Sequence, residues 1–283
     1  MTNGRGTWLV AWQSNYNLTA SIDTSEYFYY YSISKDNGKN WSIMEQLDFP
    51  QPRLNWIKVA VSIEANVAVV VFCNVTFVKN TDPDPEAADV SYKKYDFASQ
   101  NWTDAKLLSR SVMSQRSFAT SMALPEITFL FDGTFLATFV DLSFTTVSYS
   151  ISFDNGTTFS STPPVLFNYS AAALNLASGS SDPNNTIEIL FPKVIGNGNM
   201  DAIVVWRQTN LTTLLASVYY AYLNLTEAKA TNKYSINITK LNDLAGNYNE
   251  VGLPVVGIDT NHSFLVAYAT SLSSTSRFSY HFS

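Results

Sequence analysis

Cysteine occurs once, at Cys73, so no disulfide can form within the chain. Charge is scarce, at 14% of residues, and 17 Lys and Arg against 23 Asp and Glu leave a net charge of −6. No basic stripe exists, which argues against nucleic acid as a partner, because phosphate contacts need clustered cations. No apolar run approaches the roughly 18 residues of a membrane-spanning helix. No long segment repeats apolar residues at helical spacing. The two histidines, His262 and His281, have no second His or Cys at metal-ligand spacing, so no metal or cofactor is expected. Met1-Thr-Asn-Gly does not read as a secretory signal, which leaves it removed or upstream of a fragment.

What the chain does have is a repeat. Pro125, Pro192 and Pro254 are each followed fourteen residues later by an aromatic: Phe139, Trp206 and Tyr268. Two further copies, ending at Trp12 and Phe72, lack the proline. The five anchors are 60, 67, 67 and 62 residues apart, and each lies in an apolar run such as Ala202-Ile-Val-Val-Trp206. Turn residues precede these runs, as in Asp132-Gly133 and Gly196-Asn197-Gly198, so each unit begins strand A, turn, strand B. An alternating run, such as Tyr27–Ser34 or Val147–Phe153, gives strand C. A weaker one, such as Ser42–Leu47 or Thr103–Leu108, gives strand D. Four antiparallel strands per period predict an all-β chain: a β-propeller of about five blades, or six in a longer protein. A β-sandwich also uses many short strands, but the even period argues against it. One domain, residues 1–283, is expected. Its ends are incomplete: the first unit starts at strand B and the last stops at strand C, as in an arc cut from a longer ring.

Cys73 sits in an apolar strand and reads as a packed core thiol. Eleven Asn-x-Ser/Thr sequons occur, roughly twice what random placement would give; in a secreted protein they would be glycan acceptors on the surface. The acidic loop Asp82-Pro-Asp84-Pro-Glu86, with Asp89 beyond it, has the hard oxygens of a Ca²⁺ site but meets no spacing template.

Two strands C run into closely similar turns: Ser34-Lys-Asp36-Asn-Gly38-Lys-Asn-Trp41 and Ser152-Phe-Asp154-Asn-Gly156-Thr-Thr-Phe159. The carboxylate can accept backbone N–H bonds across the turn, Gly supplies positive φ, and the aromatic is expected to pack back on the sheet. A third copy, Asp96-Phe-Ala-Ser-Gln-Asn-Trp102, is one residue longer and lacks Gly. This pattern resembles the Asp-box, or bacterial neuraminidase repeat. Together with Gly4-Arg-Gly6-Thr-Trp8-Leu-Val-Ala-Trp12 it makes residues 4–42 similar to a first blade of the sialidase superfamily. Later residues resemble that family through the repeat alone.

The resemblance implies three arginines on a substrate carboxylate, a Tyr nucleophile activated by Glu, and an Asp acid/base. Its Arg-Ile-Pro motif is absent from this chain, and Asn15 stands where another Arg is expected. The candidates it leaves are Asp23 as acid/base, Tyr248 with Glu250 as nucleophile pair, and Arg53, Arg116 and Arg207 as carboxylate ligands. Each also fits an ordinary role: Asp23 as a solvated loop residue, the arginines as surface or packing groups. Two functions therefore stay open. One is a non-catalytic or degenerate module that binds glycans or glycoproteins outside the cell or on its surface. The other is an exo-α-sialidase or related glycoside hydrolase, present as a fragment.

Overall fold

The apolar runs form the strands of a computed structural model, which describes residues 1–2, 4–17, 22–47, 54–77, 85–112, 124–140, 146–160, 165–168, 187–210, 215–226, 229, 235–241, 250–251, 253–272 and 275–282. The described chain is built of β-strands in five antiparallel sheets. The first holds β1 (Trp8–Asn17), β2 (Ile22–Ser34) and β3 (Glu45–Gln46). In the second, β4 (Leu54–Ser62), β5 (Val67–Phe77) and β6 (Pro85–Asp96) lie side by side. Two outer strands, β7 (Asn101–Trp102) and β8 (Lys106–Val112), share β6. The third holds β9 (Glu126–Phe129), β10 (Phe135–Val140), β11 (Thr146–Ser152) and β12 (Val165–Asn168). The fourth runs β13 (Ile187–Gly196), β14 (Asp201–Asn210), β15 (Leu215–Asn224) and β16 (Ser235–Lys240). In the fifth, β19 (Phe264–Leu272) pairs with β17 (Glu250–Val251), β18 (Val255–Ile258) and β20 (Thr275–Phe282). None of the described helices is long and apolar enough to cross a membrane.

The five anchors occupy strand B of successive sheets: Trp12 in β1, Phe72 in β5, Phe139 in β10, Trp206 in β14 and Tyr268 in β19. Strand A breaks its ladder opposite the anchor. In the second sheet Asn55 pairs with Cys73 and Ile57 with Phe72, which leaves Trp56 as an extra residue with φ 69°. In the fourth, Leu190 pairs with Arg207 and Lys193 with Val205, so Phe191 and Pro192 together face Trp206. In the fifth, Val251 pairs with Thr270 and Val255 with Ala267, with Pro254 in the gap. The last two breaks explain the placing of Pro192 and Pro254. Proline has no N–H to donate, so a bulge is where a strand tolerates it.

A second device recurs at the turns. The first residues of the C–D turn donate a backbone N–H to the A–B turn of the same sheet: Asn37 to Gly6 (2.8 Å), Phe97 to Asn66 (3.1 Å), Asn155 to Gly133 (2.9 Å) and Leu225 to Met200 (2.9 Å). In the first sheet, strand A is represented by Met1 and Thr2: Thr2 bridges to Trp8, and Leu9 donates to the Met1 carbonyl at 2.9 Å.

Contacts divide the chain into two compact units: Met1–Ala137 with Ser150–Pro163, and Thr138–Tyr149 with Pro164–Ser283. Within the first, the second sheet is covered on both faces. Val61, Ala68 and Tyr95 pack on Leu9 of the first sheet, and Phe72 on Tyr29. From the opposite face, Tyr92 meets Phe159 and Lys58 pairs with Glu126 at 3.2 Å, both on the third sheet. That is why Val67–Cys73 is continuously apolar rather than alternating, with every side chain at most 3% exposed. Each such valine contributes on the order of 1.5–3 kcal/mol of transfer free energy. A sandwich of two sheets would not bury a middle sheet in this way. In the second unit, Ile203, Val205 and Val218 of the fourth sheet pack on Phe264, Val266 and Tyr268 of the fifth.

Candidate functional site

Asp36 and Asp154 close their turns with the same set of bonds. Ser34 Oγ donates to Asp36 Oδ1 (2.8 Å) and accepts from Gly38 N–H (2.8 Å). Asn40 donates its backbone N–H to Asp36 Oδ1 (2.8 Å) and its amide to Oδ2 (2.6 Å). In the third sheet Ser152 Oγ donates to Asp154 Oδ1 (2.8 Å) and accepts from Gly156 N–H (2.9 Å). Thr158 donates its N–H to Oδ1 (2.8 Å) and its hydroxyl to Oδ2 (2.6 Å). Asn37 and Asn155 take φ of 59° and 58°, and the glycines after them 83° and 74°, which explains the Asn-Gly pair. The longer third copy reaches a similar end: Asp96 Oδ1 accepts from the N–H groups of Ala98 (2.7 Å) and Ser99 (3.0 Å).

These donors hold the carboxylates in their charged form. The Asn40 backbone and side chain, then Ser34, bring Asp36 below its ordinary value. Burial pulls Asp154 upward, but Thr158, Ser152 and Thr157 outweigh it, and the group still lies below the usual range. With both oxygens engaged, neither carboxylate is disposed for acid–base chemistry.

The two aromatics behave differently. Phe159 stands edge-on to Tyr92, ring centres 4.7 Å apart. Trp41 does not pack back on its sheet as predicted. It is 43% exposed, and its indole N–H donates to Gly38 O at 3.1 Å, which turns the ring across the turn. An open groove of about 400 Å³ lies beside it, between the first and second sheets. Tyr31 and Tyr95 form the floor; Trp41, Glu45, Lys35 and Gln100 form the walls. Tyr31 donates its hydroxyl to Glu45 Oε2 at 2.5 Å, and Lys35 reaches Gln100 Oε1 at 2.9 Å. Burial, and then Glu45, raise the Tyr31 phenol well above its ordinary value, so it keeps its proton.

The corresponding slot between the second and third sheets is bridged. Tyr92 holds the register position of Tyr31, and Lys106 pairs with it as Glu45 pairs with Tyr31. There Lys106 donates to Thr157 O (2.9 Å), Tyr92 donates to the same carbonyl (3.0 Å), and Lys94 donates to Thr157 Oγ1 (2.8 Å). The groove at Glu45 is thus a local feature and not a gap inherent in the stacking of sheets.

The remaining predicted residues lie elsewhere. Antiparallel order puts the last residues of each strand B and the first residues of each strand C at the end opposite the two Asp turns. Asp23 is the second residue of β2, paired with Tyr16, and Glu250 opens β17, paired with Ser271; both are placed by backbone. Arg207 is half-buried in β14, paired with Leu190 and Val218, and its Nε has no hydrogen-bond partner among the described residues. Arg53, Arg116 and Tyr248 lie outside the described residues, as do Asp82 and Asp84. Asp89 is held by Arg110, which donates Nε to Oδ1 and Nη2 to Oδ2, both at 2.7 Å, so its charge is already matched. Among the described residues no cluster of His, Cys, Asp and Glu could hold a metal. Cys73 is buried, as a packed core thiol would be. The sequence reading missed Tyr31, Glu45 and Tyr95. The available signal was a lone acidic residue in the weak strand D, on the face shared with Tyr31.

No family model matches the chain, and no curated protein matches its sequence. Solved structures share its fold at low identity. A polysaccharide lyase of a new family, an ulvan lyase, aligns over 98% of this chain with TM-score 0.55 and 9% identity. A Hadza microbial sialidase aligns over 94%, with TM-score 0.50 and 14% identity. The α-L-arabinofuranosidase of Fusarium graminearum aligns over 81%, with TM-score 0.44 and 14% identity. The chain spans 66%, 51% and 62% of these three proteins. It is an all-β chain of successive antiparallel sheets, with the fold type found in a sialidase and a polysaccharide lyase.

Proposed function

We propose that the chain is a single sialidase-like β-propeller domain of about five blades, outside the cell or on its surface, that binds glycans and does not cleave sialosides. The two Ser-x-Asp-Asn-Gly turns support the Asp-box reading, and the likeness to a sialidase and a polysaccharide lyase supports the fold. The observation that carries the function is the groove at Glu45. It joins an exposed indole, a floor of two phenols and one open carboxylate, the mixture of flat apolar faces and acceptors that suits a polyhydroxylated ligand. Among the described residues that line it there is no guanidinium, the bidentate group that would hold a sialic acid carboxylate. It does contain a Tyr–Glu pair, but a nucleophilic tyrosine must lose its proton, and both burial and Glu45 oppose that.

Calorimetric or NMR titration of the purified chain with neutral and sialylated oligosaccharides tests the binding. A fluorogenic sialoside, with Tyr248→Phe as control, tests the chemistry. Saturable binding without turnover is expected. Turnover that vanishes in Tyr248→Phe would instead establish the exo-α-sialidase, built on Asp23, Tyr248, Glu250 and the arginines 53, 116 and 207.

A further inference from the structure

We infer that the groove between the first and second sheets is a site for an uncharged pyranoside, and that Glu45 makes it reject anionic sugars. The inference rests on the glycan-binding reading and adds the class of sugar and the group that selects it.

Three observations carry it. The first is a ready stacking surface. Trp41 is 43% exposed, yet its indole N–H is anchored on Gly38 O, so the ring is oriented before any ligand arrives. A preoriented ring loses little conformational entropy on binding, and its face suits the C–H face of a pyranose.

The second is the state of the polar groups. Glu45 Oε2 accepts the Tyr31 hydroxyl, while the carboxylate has about four acceptor positions in all. The remaining positions can receive sugar hydroxyls. Tyr31 has its only donor committed to Glu45 and has none for a ligand anion. Asp36 already accepts three bonds from Ser34 and Asn40, so it contributes charge and little acceptor capacity.

The third is the balance of charge. Two carboxylates, Asp36 and Glu45, face one ammonium, Lys35, and Gln100 holds that ammonium against the far wall. A sugar carboxylate entering here would meet repulsion that Lys35 does not offset. The bridged slot shows the contrast, because Lys106 replaces Glu45 in register and its cation goes to Thr157 O.

The test compares lactose with its α2,3-sialylated form, which carry the same core and differ by one sialic acid. Wild-type chain should bind lactose, and bind the sialylated sugar about five- to tenfold more weakly at low salt. Glu45→Gln keeps the acceptor for Tyr31 and removes the charge; it should bring the two affinities within about twofold of each other. Trp41→Ala should weaken both by about tenfold with an unchanged melting temperature. Equal affinities in wild type, unmoved by Glu45→Gln, would overturn the selectivity and leave glycan binding standing. Failure of both sugars to bind, or binding that Trp41→Ala leaves intact, would overturn the site itself.

Discussion

Val69 of the second sheet lies over Gly156 of the third so closely that a β-carbon on Gly156 would stand 2.2 Å from Val69 Cγ2. Gly156 also has φ 74°, so two independent reasons require glycine there. Gly38, its counterpart, has φ 83° but meets nothing nearer than Trp41 at 3.9 Å. Gly156→Ala should therefore destabilise by about 2–4 kcal/mol, from strain plus overpacking, and Gly38→Ala by about 1 kcal/mol. Urea unfolding measures both. Val69→Ala should recover part of the Gly156→Ala loss and none of the Gly38→Ala loss; a purely additive double mutant would show that the contact is not the cause.

Asp154→Ala removes the acceptor for Ser152 and for both donors of Thr158. The expected loss is about 1–2 kcal/mol, as for other side-chain caps. Thermal melts would read this as a drop of a few degrees. An unchanged melt would mean that the turn is held by its backbone alone.

The same bonds set the acid response. Asp36, Asp96 and Asp154 are all held below the ordinary aspartate value in the folded state by the donors around them. A depressed carboxylate contributes stability that is complete above the unfolded value and disappears as pH falls through the folded one. Stability should therefore be flat down to about pH 4 and fall below it. Asp154→Asn should be less stable at neutral pH but show a shallower acid decline. Parallel pH curves for the two proteins would refute the assignment.

Tyr31→Phe deletes the donor to Glu45 and keeps the ring against Tyr95 and Trp102. Stability should change by about 1 kcal/mol or less, since Glu45 can turn to water. Lactose binding should persist, because the stacking face and the carboxylate remain. Loss of folding in this variant would show that the Tyr31–Glu45 bond serves the core rather than the groove.

The sequence by itself determined the repeat, the strands and the turns. The five anchors lie in strand B of five sheets because period-2 alternation and Asn-Gly or Asp-Gly turns are short-range properties, written within a few residues. Glycine at 38 and 156 could be read from the turn chemistry alone. The purpose of the prolines could not, because a bulge exists only against the partner strand; Pro192 acquires its meaning from Trp206. Only the tertiary structure decided which inter-sheet slot is bridged and which is open. That choice depends on Lys106 reaching Thr157, 51 residues away, and on Lys35 meeting Gln100, 65 residues away. It also decided that Trp41 faces solvent while Phe159 packs on Tyr92, although both occupy the same place in the motif. Cross-sheet neighbours differ even where the local sequence repeats, and the neighbour, not the motif, determines whether an aromatic becomes core or surface.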